Sequence, residues 1–174
     1  GMMVEIRRLL ENQQKWTVEE LQSLYDCISG EPEFCNALVK LLADPERQQA
    51  ASWLLKQALE TGQDVTRMDW SPYYRSLSEL QNWETQLHLL QCLPYLTIDT
   101  REVKQLEPFL RRCLQSENKF VRAWGYNGFN ELALQHADFK PEVDSLLAAA
   151  LEEEAPSVKA RIRNILKQRL SHGF

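Results

Sequence analysis

Val121-Arg122-Ala123-Trp124-Gly125-Tyr126-Asn127-Gly128-Phe129 is the stretch whose reading decides the fold. Counting from Val121, the positions four, seven and eight residues on are Gly125, Gly128 and Phe129, which share one face at helical spacing. The same steps from Val158 reach Ile162, Ile165 and Leu166. From Arg47 they reach Ala51, Leu54 and Leu55, and from Thr85 they reach Leu89, Cys92 and Leu93. The four anchors stand 38, 36 and 37 residues apart. An amphipathic helix that returns in register at such an interval marks a stacked repeat array. Glycine inside a helix costs about 1 kcal/mol, and close approach of the preceding helix is the compensation that Gly125 and Gly128 imply.

Working outward, Val4, Ile6, Leu9 and Leu10 predict a short helix. Thr17-Val18-Glu19-Glu20 then reads as a capping box that opens a helix through Leu21, Leu24, Tyr25 and Ile28, stopped at Gly30. This first pair, 2–30, fits the register poorly and is expected to cap the array. Repeats follow over 32–62, 72–96, 100–136 and 141–170, within a single domain of 2–174. Pro32 is expected to start a helix, and Asp44-Pro45 to break it and begin its partner, which ends at Gly62. Residues 63–71 form the longest connection. Ser71-Pro72, Asn82, Asp99 or Thr100, Asn118, Pro141 and Pro156 open the later helices, and Pro108 is expected to kink or break the one it lies in.

Apolar residues make up 44% of the chain and charged ones 26%, which is the balance of a folded protein rather than a disordered one. The aliphatic residues come at helical spacing and no runs of Val, Ile and Thr alternate at period two, so the expected class is all-α. A net charge of −5 gives a whole-molecule field that repels nucleic acid and anionic lipid. Of the four cysteines, Cys92 and Cys113 fall among core positions, no CxxC pair is present, and a Cys27–Cys35 disulfide is conceivable across the turn between them. No apolar run reaches the length of a membrane span, and the opening Met2-Met3-Val4-Glu5-Ile6-Arg7-Arg8 does not read as a signal peptide. A cytoplasmic protein is expected.

The repeat resembles HEAT repeats of the armadillo/HEAT-like class. These are helix pairs of roughly 37 to 47 residues whose second helix carries a Val-Arg step before small and aliphatic core positions. Val121-Arg122 and Val158-Lys159 fit that pattern best, whereas Arg47 and Thr85 stand where an aliphatic residue would be usual. The resemblance covers about residues 32 to 170. It implies a right-handed α-α superhelix of about five stacked antiparallel helix pairs, with second helices lining a concave side.

Steps of three, six and ten from each anchor then nominate a ladder on that side. Its rungs are Ala50, Trp53 and Gln57; His88, Gln91 and Tyr95; Trp124, Asn127 and Glu131; and Arg161, Asn164 and Gln168. Exposed Trp and Tyr are residue types that anchor protein partners, so the expected function is a non-catalytic scaffold that binds a protein or peptide. The alternative for Trp53 and Trp124 is packing between adjacent repeats.

Chemistry is sparse. The three histidines, His88, His136 and His172, have no neighbour at metal-ligand spacing, and no catalytic residue, metal or cofactor is expected. Glu152-Glu153-Glu154 radiate from a helix end and read as a solvated turn. Lys159, Arg161, Arg163, Lys167 and Arg169 make the last helix basic, in keeping with its dipole. Some HEAT-like proteins are DNA glycosylases that use concave tryptophans with an aspartate, and this is the alternative function. The ladder has one cation, Arg161, and one acid, Glu131. Duplex binding needs several phosphate contacts, so nucleic acid is the disfavoured partner. Bilin lyases have related repeats, but no residue here points to them.

Overall fold

The computed structural model describes residues 1–11 and 15–174, and residues 12–14 of the expected N-terminal pair lie outside the described residues. Among the described residues every regular element is a helix: α1 (Met2–Leu9), α2 (Val18–Ile28), α3 (Phe34–Leu41), α4 (Gln48–Glu60), α5 (Ser71–Ser76), α6 (Trp83–Cys92), α7 (Val103–Leu114), α8 (Lys119–Gln135), α9 (Lys140–Glu153) and α10 (Pro156–His172), with short 3-10 turns between some of them. The all-α class is therefore observed. No described helix is long and apolar enough to cross a membrane.

The chain divides into two compact units, Gly1–Cys92 and Leu93–Phe174. In the first, α1 packs on α3 and α3 on α5, while α2 packs on α4 and α4 on α6; α3 also packs against α4. First helices thus neighbour first helices, and second helices neighbour second. In the second unit α8 packs against α7, α9 and α10, and α9 against α10.

The register read from the sequence is the register of the core. All four anchors are buried: Arg47 keeps 8% of its surface, and Thr85, Val121 and Val158 keep none. Of the residues four, seven and eight steps on, only Leu166 is half-buried and the rest are buried. Arg47 can occupy a core anchor because its guanidinium is satisfied. It donates to Asp44 Oδ2 at 2.7 Å and to the Arg7 carbonyl at 3.1 Å, which meets the demand that a buried charge be paired.

The helix boundaries follow local chemistry. The Glu20 N–H donates to Thr17 Oγ1 and the Thr17 N–H to Glu20 Oε1, completing the capping box of α2. Thr17→Ala is expected to lower stability by about 1 kcal/mol, measured as a shift in urea midpoint at constant slope. Asn118 Oδ1 caps α8, Asn82 Oδ1 accepts from the Thr85 N–H, and Gly62 ends the turn after α4 with φ +83°.

Some boundaries differ from expectation. Pro32 lies in a turn, and α3 begins at Phe34. α4 begins at Gln48 rather than Pro45, because the Asp44 carboxylate is drawn to Arg7 and Arg47 and to the Glu46 N–H, holding 45–47 as a turn. α7 runs through Pro108 without a break. Pro108 and Lys104, whose carbonyl loses its partner, both lie on the exposed face, where water can replace the missing N–H. All four cysteines are free thiols, with Cys27 exposed and Cys35, Cys92 and Cys113 buried.

Candidate functional site

The ladder residues fall on two pairs of adjacent second helices. Within the first unit, Ala50, Trp53 and Gln57 lie on α4 beside His88 and Gln91 on α6. Within the second, Trp124, Asn127 and Glu131 lie on α8 beside Arg161, Asn164 and Gln168 on α10. Tyr95 sits in a 3-10 turn of the second unit and is half exposed.

On the α8–α10 pair the residues largely satisfy one another. Trp124 is half-buried, and the Arg161 guanidinium stacks over its ring at 4.2 Å from the centroid. Arg161 Nη1 also donates to Asn164 Oδ1 at 3.3 Å, and burial lowers its pKa from the usual guanidinium value. Trp124 thus bridges one second helix to the next through a cation–π contact. Asn127, placed on the ladder as a surface amide, is buried at 5% exposure. Glu131 is half-buried and its carboxyl is raised by desolvation, partly offset by His172. Gln168 is exposed.

The basic face of α10 is partly consumed as well. Arg169 Nε donates to Asn130 Oδ1 at 2.7 Å and Nη1 to Asp144 Oδ1 at 2.5 Å, with the Phe174 ring stacked on the guanidinium. Glu154, read from the sequence as part of a solvated turn, takes both Nε and Nη2 of Arg122.

The α4–α6 pair is different because it encloses a hollow of about 160 Å³. Trp16, Val18, Leu21, Ala50 and Trp53 supply its apolar wall. Glu46, Gln49, Glu84 and His88 supply the polar part. Gln49 Nε2 donates to Glu84 Oε2 at 3.0 Å and ties α4 to α6. Ser52 Oγ donates to the Gln49 carbonyl at 2.9 Å and lies 2.9 Å from His88 Nδ1. The Ser52 hydroxyl hydrogen-bonds to Nδ1 as acceptor or as donor, according to which ring nitrogen carries the proton. Burial, helped by the Lys56 ammonium and opposed by the Gln49 backbone, lowers the His88 pKa to about 4, so the ring is neutral near pH 7.

A second hollow of about 300 Å³ continues from the first and shares Glu46 and Gln49 with it. Glu11, Pro45, Gln48, Asn82 and Thr85 line the rest of it. Among the described residues neither lining includes a Lys or Arg.

No family model, curated protein or solved structure matches the chain.

The reading by periodicity reached Trp53 and His88 but missed Trp16, Glu46, Gln49 and Glu84. One signal was present for Trp16. It directly precedes the Thr17 cap, and Leu21 is the fourth helical residue, the two positions of a hydrophobic staple. Both line the hollow. Among the described residues no group of His, Cys, Asp and Glu could hold a metal ion.

Proposed function

We propose that the helix pairs are HEAT-like repeats and that the protein is an interaction module whose binding surface is the cleft on the α4–α6 face. The observation that carries this is the hollow walled by Trp16 and Trp53. Open tryptophan-walled pockets are where interface anchors seat. The larger hollow beside it gives a partner's chain room to continue. A volume of about 160 Å³ is below the roughly 300–1,000 Å³ of sites for whole small molecules, and suits one inserted side chain. The carboxylates on its rim face away from what a phosphate backbone requires, so the glycosylase alternative draws nothing from this site.

Photo-crosslinking in cells tests the reading. Val18 lines the hollow and is 64% exposed, so a photoreactive residue there is tolerated. A discrete protein adduct is expected from position 18 and not from Arg163, an exposed position on α10. Trp53→Ala should abolish the adduct while leaving the far-UV circular dichroism unchanged. Adducts no more abundant from position 18 than from 163 would remove the proposal.

A further inference from the structure

The two second-helix pairs carry the same register but fill it differently. Three residues after their anchors, α8 and α10 place Trp124 and Arg161, and the guanidinium lies on the indole. The equivalent positions on α4 and α6 are Ala50 and His88. Alanine leaves unfilled the volume a tryptophan would occupy, and a neutral imidazole replaces the cation. The hollow opens at this position, with Trp53 and Trp16 on its wall in place of the missing ring.

Two carboxylates, Glu46 and Glu84, stand on the polar side of the hollow. Glu84 receives one hydrogen bond from Gln49 and keeps further lone pairs. Glu46 has an 85% exposed side chain 3.8 Å from Arg47 Nη1, which lies closer, at 2.7 Å, to Asp44. The neutral His88 ring adds no positive charge, and Glu11 extends the negative rim into the adjoining hollow. Aromatic walls, separated carboxylates and, among the described residues, no lining cation form the complement of a flat cation with several N–H donors.

We infer that the cleft binds an arginine side chain presented by an extended segment of a partner protein, the guanidinium lying against Trp53 and Trp16 and donating to Glu84 and Glu46. This rests on the interaction reading above and names what the partner inserts. Lysine fits less well, because a compact, strongly hydrated ammonium neither stacks on an indole nor reaches two carboxylates at once. The adjoining hollow, with Asn82 and Gln48 at its wall, has room for the partner's chain beyond the anchor.

The test titrates the whole protein with acetyl-Ser-Gly-Arg-Gly-Ser-amide, its citrulline and lysine counterparts, and ethylguanidinium alone, following the tryptophan indole N–H signals by NMR. The arginine peptide should shift the Trp16 and Trp53 signals saturably and leave Trp70 and Trp124 in place. The citrulline peptide, equal in shape but uncharged, should bind at least about tenfold more weakly, and the lysine peptide several-fold more weakly. Raising salt from about 50 to about 500 mM should weaken the arginine peptide several-fold. Glu84→Gln keeps an acceptor for Gln49, and Glu46→Gln changes an exposed side chain. Each should therefore lower affinity several-fold without altering the unfolding curve.

Equal binding of the arginine and citrulline peptides would overturn the inference and leave the interaction reading intact, since the cleft would then read chain rather than charge. Ethylguanidinium binding as tightly as the peptide would overturn it in favour of a small-cation site. Silence of the Trp16 and Trp53 signals with every probe would overturn it outright, and the crosslinking experiment decides separately whether the interaction reading survives.

Discussion

Gly125→Val is expected to destabilise the second unit by about 3 kcal/mol, near the upper end of what overpacking costs. A Cβ built on Gly125 would lie 3.2 Å from Cys113 Cβ and 3.2 Å from Leu114 Cδ2, with the Cys113 carbonyl carbon at 3.5 Å. Leu114 can turn away, but Cys113 Cβ is fixed to the α7 backbone, so relief requires α7 and α8 to separate. Two further carbons on a β-branched residue enlarge the clash and add a χ1 restriction in the helix. Gly125→Ala sets a smaller clash against a helix-propensity gain of about 1 kcal/mol, and a net loss near 1 kcal/mol is expected. Gly30→Ala is the control, because nothing lies within 4 Å of its added Cβ; a change within about 0.5 kcal/mol is expected there. Urea unfolding reads all three. Pairing Gly125→Ala with Leu114→Ala should cost less than the two single losses together, because one clash partner is gone. A Gly125→Val protein as stable as the parent would mean that α7 and α8 do not touch at this point.

That contact shows what the sequence could and could not convey. Gly125 announced a close approach because an uncompensated mid-helix glycine has an energetic cost, and the compensation had to be a neighbour. The caps at Thr17 and Asn118 and the stop at Gly62 were legible for the same reason: each concerns groups within a few residues of one another. Asp44-Pro45 misled because the fate of the Asp44 carboxylate is settled by Arg7, which is distant in the chain and close in the fold. Pro108 misled because the cost of a missing N–H depends on whether its orphan carbonyl meets water. The ladder found Trp53 and His88, since helical phase places residues around an axis. It could not separate the filled pair from the hollow one. That difference lies in whether Arg161 reaches Trp124, and in what stands at Ala50, both matters of side-chain packing between helices. Glu46 and Glu84 belong to no rung and enter through folding alone, whereas Trp16, also off the ladder, was marked by its place before the Thr17 cap.

Stability between pH 6.5 and 4 should fall with pH, and much of that fall should vanish in His88→Asn. In the folded protein the His88 imidazole is buried, faces the Lys56 ammonium and titrates near 4, against 6.5 for an ordinary histidine. Between those values the unfolded chain takes up a proton that the folded one refuses. The native state is therefore penalised progressively as pH falls from 6.5 to about 4, and no further below that. The gap, at about 1.4 kcal/mol per pH unit, sets a ceiling of about 3 kcal/mol. Asparagine keeps a donor near the Nδ1 position and cannot be protonated, so the difference between the two proteins' stability-against-pH curves isolates the imidazole. Glu142, Asp144 and Glu154 are held below their ordinary values by Arg111, Arg169 and Arg122 respectively. They add acid lability of the same sign in both proteins and cancel in that difference. The His88 ring signals in an NMR titration give the direct check, with a midpoint near 4 expected. A midpoint near 6.5 would place the ring in water and remove the buried neutral imidazole from the wall of the cleft.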